Sequence, residues 1–320
     1  MPTIDMSLPK LREYMGISPR PADFDKFWDD AIAESVASDK QVEMVKCDIG
    51  ASYADAYDLY FTGTRGARIH ARLLIPKNIE GKKVPAVLKF HGLGGWCGAW
   101  TRMLPYAAQG MVIAALDCRG QAGYSEDAGG VAGPTLWNPF IRGIEGEPKD
   151  LYYRDVFLDV KALTDIVMGF DFVDETRVGC FGGSQGGALA VVCAALTPSI
   201  KLCMTQYPYL SDYRRVWEMD LDKGAYDALR VYFRSYDPRH EREDEFFGKL
   251  GYIDIQNLAP RIKGEVLMLT GLMDTTCPPS TQFAMYNKIT SKKNVMVYHD
   301  FGHEEFRDSA DVTFAFLAKL

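Results

Sequence analysis

The sequence predicts an α/β fold, a mostly parallel sheet flanked by helices, and three observations carry that prediction. Short apolar runs bounded by glycines, such as VPAVLKF at 84–90 and MVIAAL at 111–116, read as strands buried on both faces. From there to the carboxyl end such runs alternate with stretches of helical spacing, the order expected of one α/β unit. At 177–196, RVGCFGGSQGGALAVVCAAL passes from an apolar stretch through a glycine cluster into an alanine-rich helix.

The totals fit that class. A chain of 320 residues with 47% hydrophobic and 25% charged residues has ordinary globular composition. We read it as a single domain, 1–320, with a helical cap inserted at about 207–261. A net charge of -7 and a pI near 5.4 argue against a nucleic-acid partner.

Taken in order, residues 21–38 place Phe24, Phe27, Trp28 and Ile32 on one helical face behind Pro21, an amino-terminal helix laid across the outside. Strand character follows at 42–49, 56–61 and 67–75, with Gly63 and Gly66 marking a hairpin. Pro76 and the KNIEGKK stretch form an exposed turn, and 99–109 is the crossover helix between the strands at 84–90 and 111–116. Residues 118–150 have no period; a loop of that length is functional or packed on a partner. Helical spacing returns at 151–170 through Tyr152, Val156, Val160, Leu163 and Val167.

After the glycine cluster come strands at 201–206, 265–270 and 294–299, the last containing His299. Between the first two, the aromatic-rich stretch broken by Pro208, Pro238 and Pro260 has helical pieces at 212–222, 224–236 and 241–250. Helices at 279–289 and 304–317 close the pattern, and the sheet is expected to hold eight strands.

The amino terminus lacks the apolar core of a secretory signal, and no apolar run is long enough to span a membrane. Seven cysteines, among them Cys180, Cys193 and Cys203 in apolar segments, read as free thiols in a reducing, cytoplasmic compartment. Neither C-x-x-C nor H-E-x-x-H occurs, so no metal and no cofactor is expected.

The chemistry sits at Gly182-Gly183-Ser184-Gln185-Gly186, a G-x-S-x-G nucleophile elbow. A strand-to-helix turn this tight crowds positions two residues either side of the serine, which glycine at Gly182 and Gly186 relieves. Serine needs a base. His303, in the loop past the last strand, is preferred among the five histidines, with Asp274, past the preceding strand, to orient it. The order Ser184…Asp274…His303 is that of α/β-hydrolases. The oxyanion donors expected are the amides of Gln185 and of Leu93 in the loop after 84–90. His91 shapes that loop. Arg119 can tie the 118–150 loop to nearby carboxylates, supporting the site with Gln121; Glu304 anchors the loop at His303, and Tyr207 and Tyr209 are candidates to line the pocket.

These residues together resemble carbohydrate esterase family 7, the acetyl xylan esterases and cephalosporin C deacetylases. The resemblance rests on Arg119-Gly120-Gln121, the G-x-S-Q-G elbow and His303-Glu304. It extends through Ser125-Glu126-Asp127, Tyr152-Tyr153-Arg154, Tyr207-Pro208-Tyr209-Leu210 and Pro278-Pro279-Ser280-Thr281. It implies an α/β-hydrolase fold, the triad Ser184, Asp274 and His303, and the donors Leu93 and Gln185. Where family members commonly carry tyrosine this chain has Leu93, which keeps a backbone donor but changes the pocket wall. The resemblance also implies deacetylation of small acetylated sugars and of cephalosporins through an acyl-enzyme, and a homo-hexamer built as a trimer of dimers. An acyltransferase or peptidase on the same scaffold is the competing enzyme reading, and a non-catalytic binding scaffold the third.

Overall fold

The structure, a computed structural model, describes residues 4–77, 79, 81–128 and 139–320. Its strands are β1 (Glu43–Cys47), β2 (Ala54–Thr62), β3 (Arg68–Pro76), β4 (Val84–Phe90), β5 (Val112–Leu116), β6 (Val173–Gly183), β7 (Leu202–Gln206), β8 (Glu265–Gly271) and β9 (Lys293–Tyr298). They form one sheet in the order β1-β2-β3-β5-β4-β6-β7-β8-β9. Six neighbouring strands, β5 to β9 in that order, run parallel, and β1, β2 and β3 complete the sheet antiparallel. The described sheet thus has nine strands, not eight. The stretch read as strand at 42–49 is the edge strand β1, whose residues 43–46 are exposed; it extends the sheet without enlarging the core. The β2–β3 hairpin turns where glycine was read, with Gly66 at φ +75°.

Among the described residues eleven α-helices cover the faces: α1 (Leu8–Leu11), α2 (Phe24–Ala37), α3 (Leu104–Ala108), α4 (Tyr152–Met168), α5 (Gln185–Leu196), α6 (Tyr213–Glu218), α7 (Asp227–Tyr236), α8 (Glu243–Leu250), α9 (Ile255–Leu258), α10 (Pro279–Lys288) and α11 (Ser309–Leu317). Helix α2 buries Phe24 and Trp28 as its spacing demands. Trp28 stacks on Phe157 of α4 at 5.7 Å and donates its indole N–H to the Tyr252 carbonyl. Helix α5 is buried along its whole length, which is why its composition is apolar all round.

Three expected boundaries move. The crossover helix shrinks to α3 behind a 3-10 turn, Trp100–Arg102, because Pro105 lacks an N–H and fits only the first turn. The last helix begins at Ser309, leaving 304–308 as loop. His299 lies in an exposed turn just past β9, not within it.

The expected insertion is helical, running through α6 to α9 between β7 and β8. The described part of the 118–150 loop packs on it. Phe140 stacks on Tyr213 at 5.6 Å, and Glu145 accepts hydrogen bonds from Tyr232 and Arg242. Residues 129–138 of that loop and parts of the 77–83 turn lie outside the described residues. Because β4 is central and the chain continues first to β5 and then to β6 on its other side, a crevice opens at the carboxyl ends of β4 and β6.

Candidate active site

Four strand ends converge on that crevice. β4 leads into His91-Gly92-Leu93, β6 into Ser184, β8 into Asp274 and β9 into His303. Ser184 sits at φ 57° and ψ -123°, a conformation that costs a non-glycine residue on the order of 1–3 kcal/mol. The crowding around it is literal. A Cβ on Gly186 would lie 2.2 Å from the Phe90 carbonyl oxygen, and one on Gly182 2.4 Å from the Gly186 backbone. The strained turn is pinned by the Ser184 N–H, which donates to the Gln206 carbonyl at 3.0 Å, and by the Tyr209 N–H, which donates to the Ser184 carbonyl at 3.1 Å.

The structure brings Ser184, His303 and Asp274 into one chain of hydrogen bonds. His303 Nε2 is 3.0 Å from Ser184 Oγ, and His303 Nδ1 is 2.9 Å from Asp274 Oδ2. Asp274 is fully buried. Its Oδ1 accepts the N–H groups of Thr276 and Cys277, both at 2.8 Å, and Gln282 Nε2 reaches Oδ2 at 3.4 Å. With Asp274 as the acceptor, Nδ1 of His303 carries the hydrogen, and Nε2 presents its lone pair to the serine hydroxyl. The Glu304 carboxylate accepts the Gly302 N–H at 3.0 Å and so holds the loop that carries His303.

The amides of Leu93 and Gln185 are free of backbone acceptors among the described residues, Gln185 as the first residue of α5. His91 has no nitrogen to spare for proton transfer: Nδ1 meets the Gly92 carbonyl at 2.7 Å and Nε2 accepts the Cys118 N–H at 3.0 Å. Burial lowers its pKa, which suits that neutral, structural pairing.

Arg119 and Gln121 stand behind the site. Arg119 is fully buried and grips Asp159 with two bonds of 2.7 Å, its Nη2 also donating to the Thr64 hydroxyl. Gln121 Oε1 accepts the Gly94 N–H at 2.8 Å, and its Nε2 donates to Gln185 Oε1 at 2.8 Å. The Gln185 side chain was missed by sequence reasoning, which assigned that residue only a backbone amide. Its Oε1 also accepts Tyr153 Oη–H at 2.7 Å and its Nε2 donates to the His91 carbonyl at 3.3 Å. A single glutamine opening an otherwise apolar helix was the available signal.

Of the two tyrosines, the structure separates the roles. Tyr207 lines the cavity over Ser184, its ring 4.6 Å from the His303 ring. Tyr209 does not line it. It is fully buried, 4.6 Å from the Tyr226 ring, with its hydroxyl donated to the Ala225 carbonyl. Tyr207 also sits at φ 32°, a region uncommon for a residue other than glycine. The cavity measures about 1090 Å³, and from the helical insertion only Tyr207, at its start, contributes to the lining.

Among the described residues two clusters bring metal-ligand types together, Asp274–Cys277–His303 and His70–Cys97–Asp117. Burial raises both thiols, Cys97 to about 12 and Cys277 well above its ordinary value, and in the first cluster Asp274 and His303 are already bonded to each other at 2.9 Å. His70 Nδ1 and Nε2 are engaged by Asp117 at 2.7 Å and Asp58 at 3.1 Å.

With this geometry in hand, comparison with known proteins is specific. The family model for acetyl xylan esterase matches residues 1–320. The acetyl esterase Axe7A of Xylanibacter ruminicola is 27% identical over 282 residues, which cover 87% of this chain; the match spans 62% of that protein's length. The crystal structure of acetyl xylan esterase 1 from Thermoanaerobacterium sp. superposes with a TM-score of 0.96 at 50% identity, covering 98% of this chain and 99% of that one. An acetyl xylan esterase from Paenibacillus sp. R4 superposes at 0.93 with 34% identity over the same shares.

Proposed function

The chain belongs to the acetyl xylan esterase family, and from that premise we propose that it hydrolyses acetyl esters of small carbohydrates, acetylated xylo-oligosaccharides foremost, through an acetyl-serine intermediate. The observation that carries the proposal is the position of His303 between Ser184 Oγ at 3.0 Å and Asp274 Oδ2 at 2.9 Å. Ser184 Oγ attacks the acetyl carbonyl carbon as its proton passes to His303 Nε2. The carbonyl oxygen, now an oxyanion, takes hydrogen bonds from the Leu93 and Gln185 amides. Collapse breaks the bond to the sugar oxygen, which receives the proton from His303. Water then repeats the sequence on the acetyl-serine and releases acetate. Asp274 keeps the hydrogen on Nδ1 and stabilises the imidazolium at both stages.

Finer assignments belong to the same proposal. Cephalosporin C, itself an acetyl ester, is a second substrate; the family resemblance supports it together with a homo-hexamer arranged as a trimer of dimers. The seven free cysteines support a cytoplasmic location. No helix among the described residues is long and apolar enough to cross a membrane.

The test is Ser184→Ala assayed for acetate release from p-nitrophenyl acetate, acetylated xylo-oligosaccharides and cephalosporin C. Loss of a triad nucleophile should lower kcat by at least about 10⁴-fold while circular dichroism stays unchanged. Retention of more than a tenth of the activity removes Ser184 from its role. Preference for peptide substrates over all three esters removes the deacetylase reading.

A further inference from the structure

The cavity at Ser184 is larger than an acetyl group requires. At about 1090 Å³ it is on the scale that holds a whole drug-sized ligand. It runs from Ser184 and His303 along the face of the sheet between α3 and α11, past Lys89 of β4, Phe181 of β6, Tyr106 of α3 and Phe314 of α11. If the acetyl carbonyl lies at Ser184, this space takes the alcohol half of the ester. Tyr106 is stacked on Phe181 at 5.3 Å and set edge-on to Phe314 at 5.4 Å, which makes a rigid apolar wall, and the half-exposed indole of Trp96 offers a surface of the kind that packs against a sugar ring.

The charge inside is uneven. Lys89 carries three donors, and its Nζ has one protein acceptor, the Cys97 carbonyl at 3.0 Å. Arg102 lines the same cavity, and its guanidinium makes no hydrogen bond or ion pair among the described residues. Arg72 stands nearby, its Nη1 on the Gly98 carbonyl at 2.7 Å and its Nε 4.0 Å from Asp58, so its charge is already paired. Two carboxylates, Glu305 and Asp311, also line the cavity, but on the α11 side, and no ion pair joins them to Lys89 or Arg102. Burial lowers the Lys89 pKa, and the nearby charges of Arg102 and Arg72 push it further the same way, against the opposing influence of Cys97. Among the described residues neither Lys89 nor Arg102 is paired with a carboxylate.

We propose that this cavity is the subsite for the alcohol half of the ester, and that Lys89 with Arg102 binds a carboxylate carried by that alcohol. The preferred substrates are then acetylated acidic sugars such as uronosides. The inference rests on the reading of Ser184 as the esterase nucleophile and adds to it a charge preference for the leaving alcohol.

The experiment compares kcat/KM for acetate release from a monoacetylated methyl glucuronoside and the matching methyl glucoside, which differ by a carboxylate in place of a hydroxymethyl group. The wild type should favour the acid by about tenfold, the scale of a charge-assisted hydrogen-bond pair in a partly buried site. In Lys89→Gln the ratio should fall to about one, and in the exposed-side variant Arg102→Gln it should fall at least threefold, a scale set by weaker, more solvated pairing. A ratio is independent of the fraction of enzyme folded, so reduced yield of Lys89→Gln leaves it readable. A wild-type ratio at or below one, or a ratio that neither substitution moves, overturns the inference. Should the wild type cleave neither sugar nor p-nitrophenyl acetate, the esterase reading itself falls; cleavage of the glucoside without preference for the acid removes only the subsite.

Discussion

Replacing Asp274 with asparagine isolates what the buried carboxylate does, because the surroundings dictate how the amide must sit. Two backbone N–H groups, of Thr276 and Cys277, point at Oδ1 at 2.8 Å. An NH2 group there would face two donors, so the asparagine oxygen takes that place and its NH2 turns to the Oδ2 position. There it meets His303 Nδ1, at the 2.9 Å now spanned by the Asp274 hydrogen bond, and forces that nitrogen to accept. The ring hydrogen moves to Nε2, which then points an N–H at Ser184 Oγ and cannot take its proton. The geometry survives and the base is lost. Inversion of the tautomer in a serine triad costs about 10⁴ in kcat, the value known for the chymotrypsin-type triad, equivalent to roughly 5 kcal/mol of barrier. The assay is kcat and kcat/KM on p-nitrophenyl acetate and on acetylated xylobiose, with thermal melting to confirm the fold. Activity within tenfold of wild type would refute the tautomer reasoning, since it would mean that His303 is oriented by something other than Asp274.

Further outcomes follow from contacts around the site. Arg119→Gln leaves Asp159, buried to 1%, without its bidentate partner and should cost about 3–5 kcal/mol in urea unfolding. Gly186→Ala, whose new methyl would fall 2.2 Å from the Phe90 carbonyl oxygen, should lower stability by about 3 kcal/mol or more and abolish ester hydrolysis. Acid stability has a definite sign at Asp117. Burial works to raise its pKa, but His70 and the N–H groups of Tyr124 and Cys97 outweigh it and hold it at about 2. Against an unfolded value of about 3.9, its contribution is complete above about pH 4 and is lost as pH falls through about 2, roughly 2 kcal/mol in all. Asp117→Asn should flatten the fall in urea midpoint across that window; an unchanged slope would assign the acid sensitivity elsewhere.

Legibility in the sequence followed the reach of each residue's chemistry. The elbow could be read because two glycines are obligatory where a Cβ would strike backbone. Asp274 and His303 could be read because chain order places them at ends of consecutive strands, and parallel pairing of β8 with β9 then puts both at the same sheet edge. Periodicity likewise found α2 and α4, whose buried faces follow their own spacing, and alanine-rich composition after the elbow found α5. What it did not find depends on contacts distant in the chain. The pairing of β1 with β2 joins residues exposed to solvent, so strand character at 42–49 could be read while its place at the sheet edge could not. The separation of Tyr207 from Tyr209 lies in their partners, His303 for one ring and Tyr226 for the other, which composition does not announce. Lys89 sits in an apolar strand as a single charge, and only the gap between α3 and α11 gives it a role.

The strand order explains why Arg119-Gly120-Gln121, the elbow and the loop at His91 occur together in one chain. The two proposed oxyanion amides lie on separate loops, Leu93 after β4 and Gln185 after β6, and their spacing has to be fixed before substrate arrives if they are to lower the barrier. Neither loop can do this alone. β5 flanks β4 on the side away from β6, so the loop after β5 reaches across the end of β4 toward the elbow. From there Gln121 bonds the Gly94 N–H with its oxygen and Gln185 Oε1 with its nitrogen, linking both loops through one planar amide. That amide is aimed by its own backbone, which Arg119 anchors to Asp159 of α4 on one side and Tyr152 anchors by donating its hydroxyl to the Arg119 carbonyl at 2.6 Å on the other. Asparagine at 121 would fall one methylene short of both loops, and glutamate would present no donor to Gln185. The residue type is therefore set by the distance between two hydrogen-bonding loops, and the arginine two positions before it by the need to hold that distance constant.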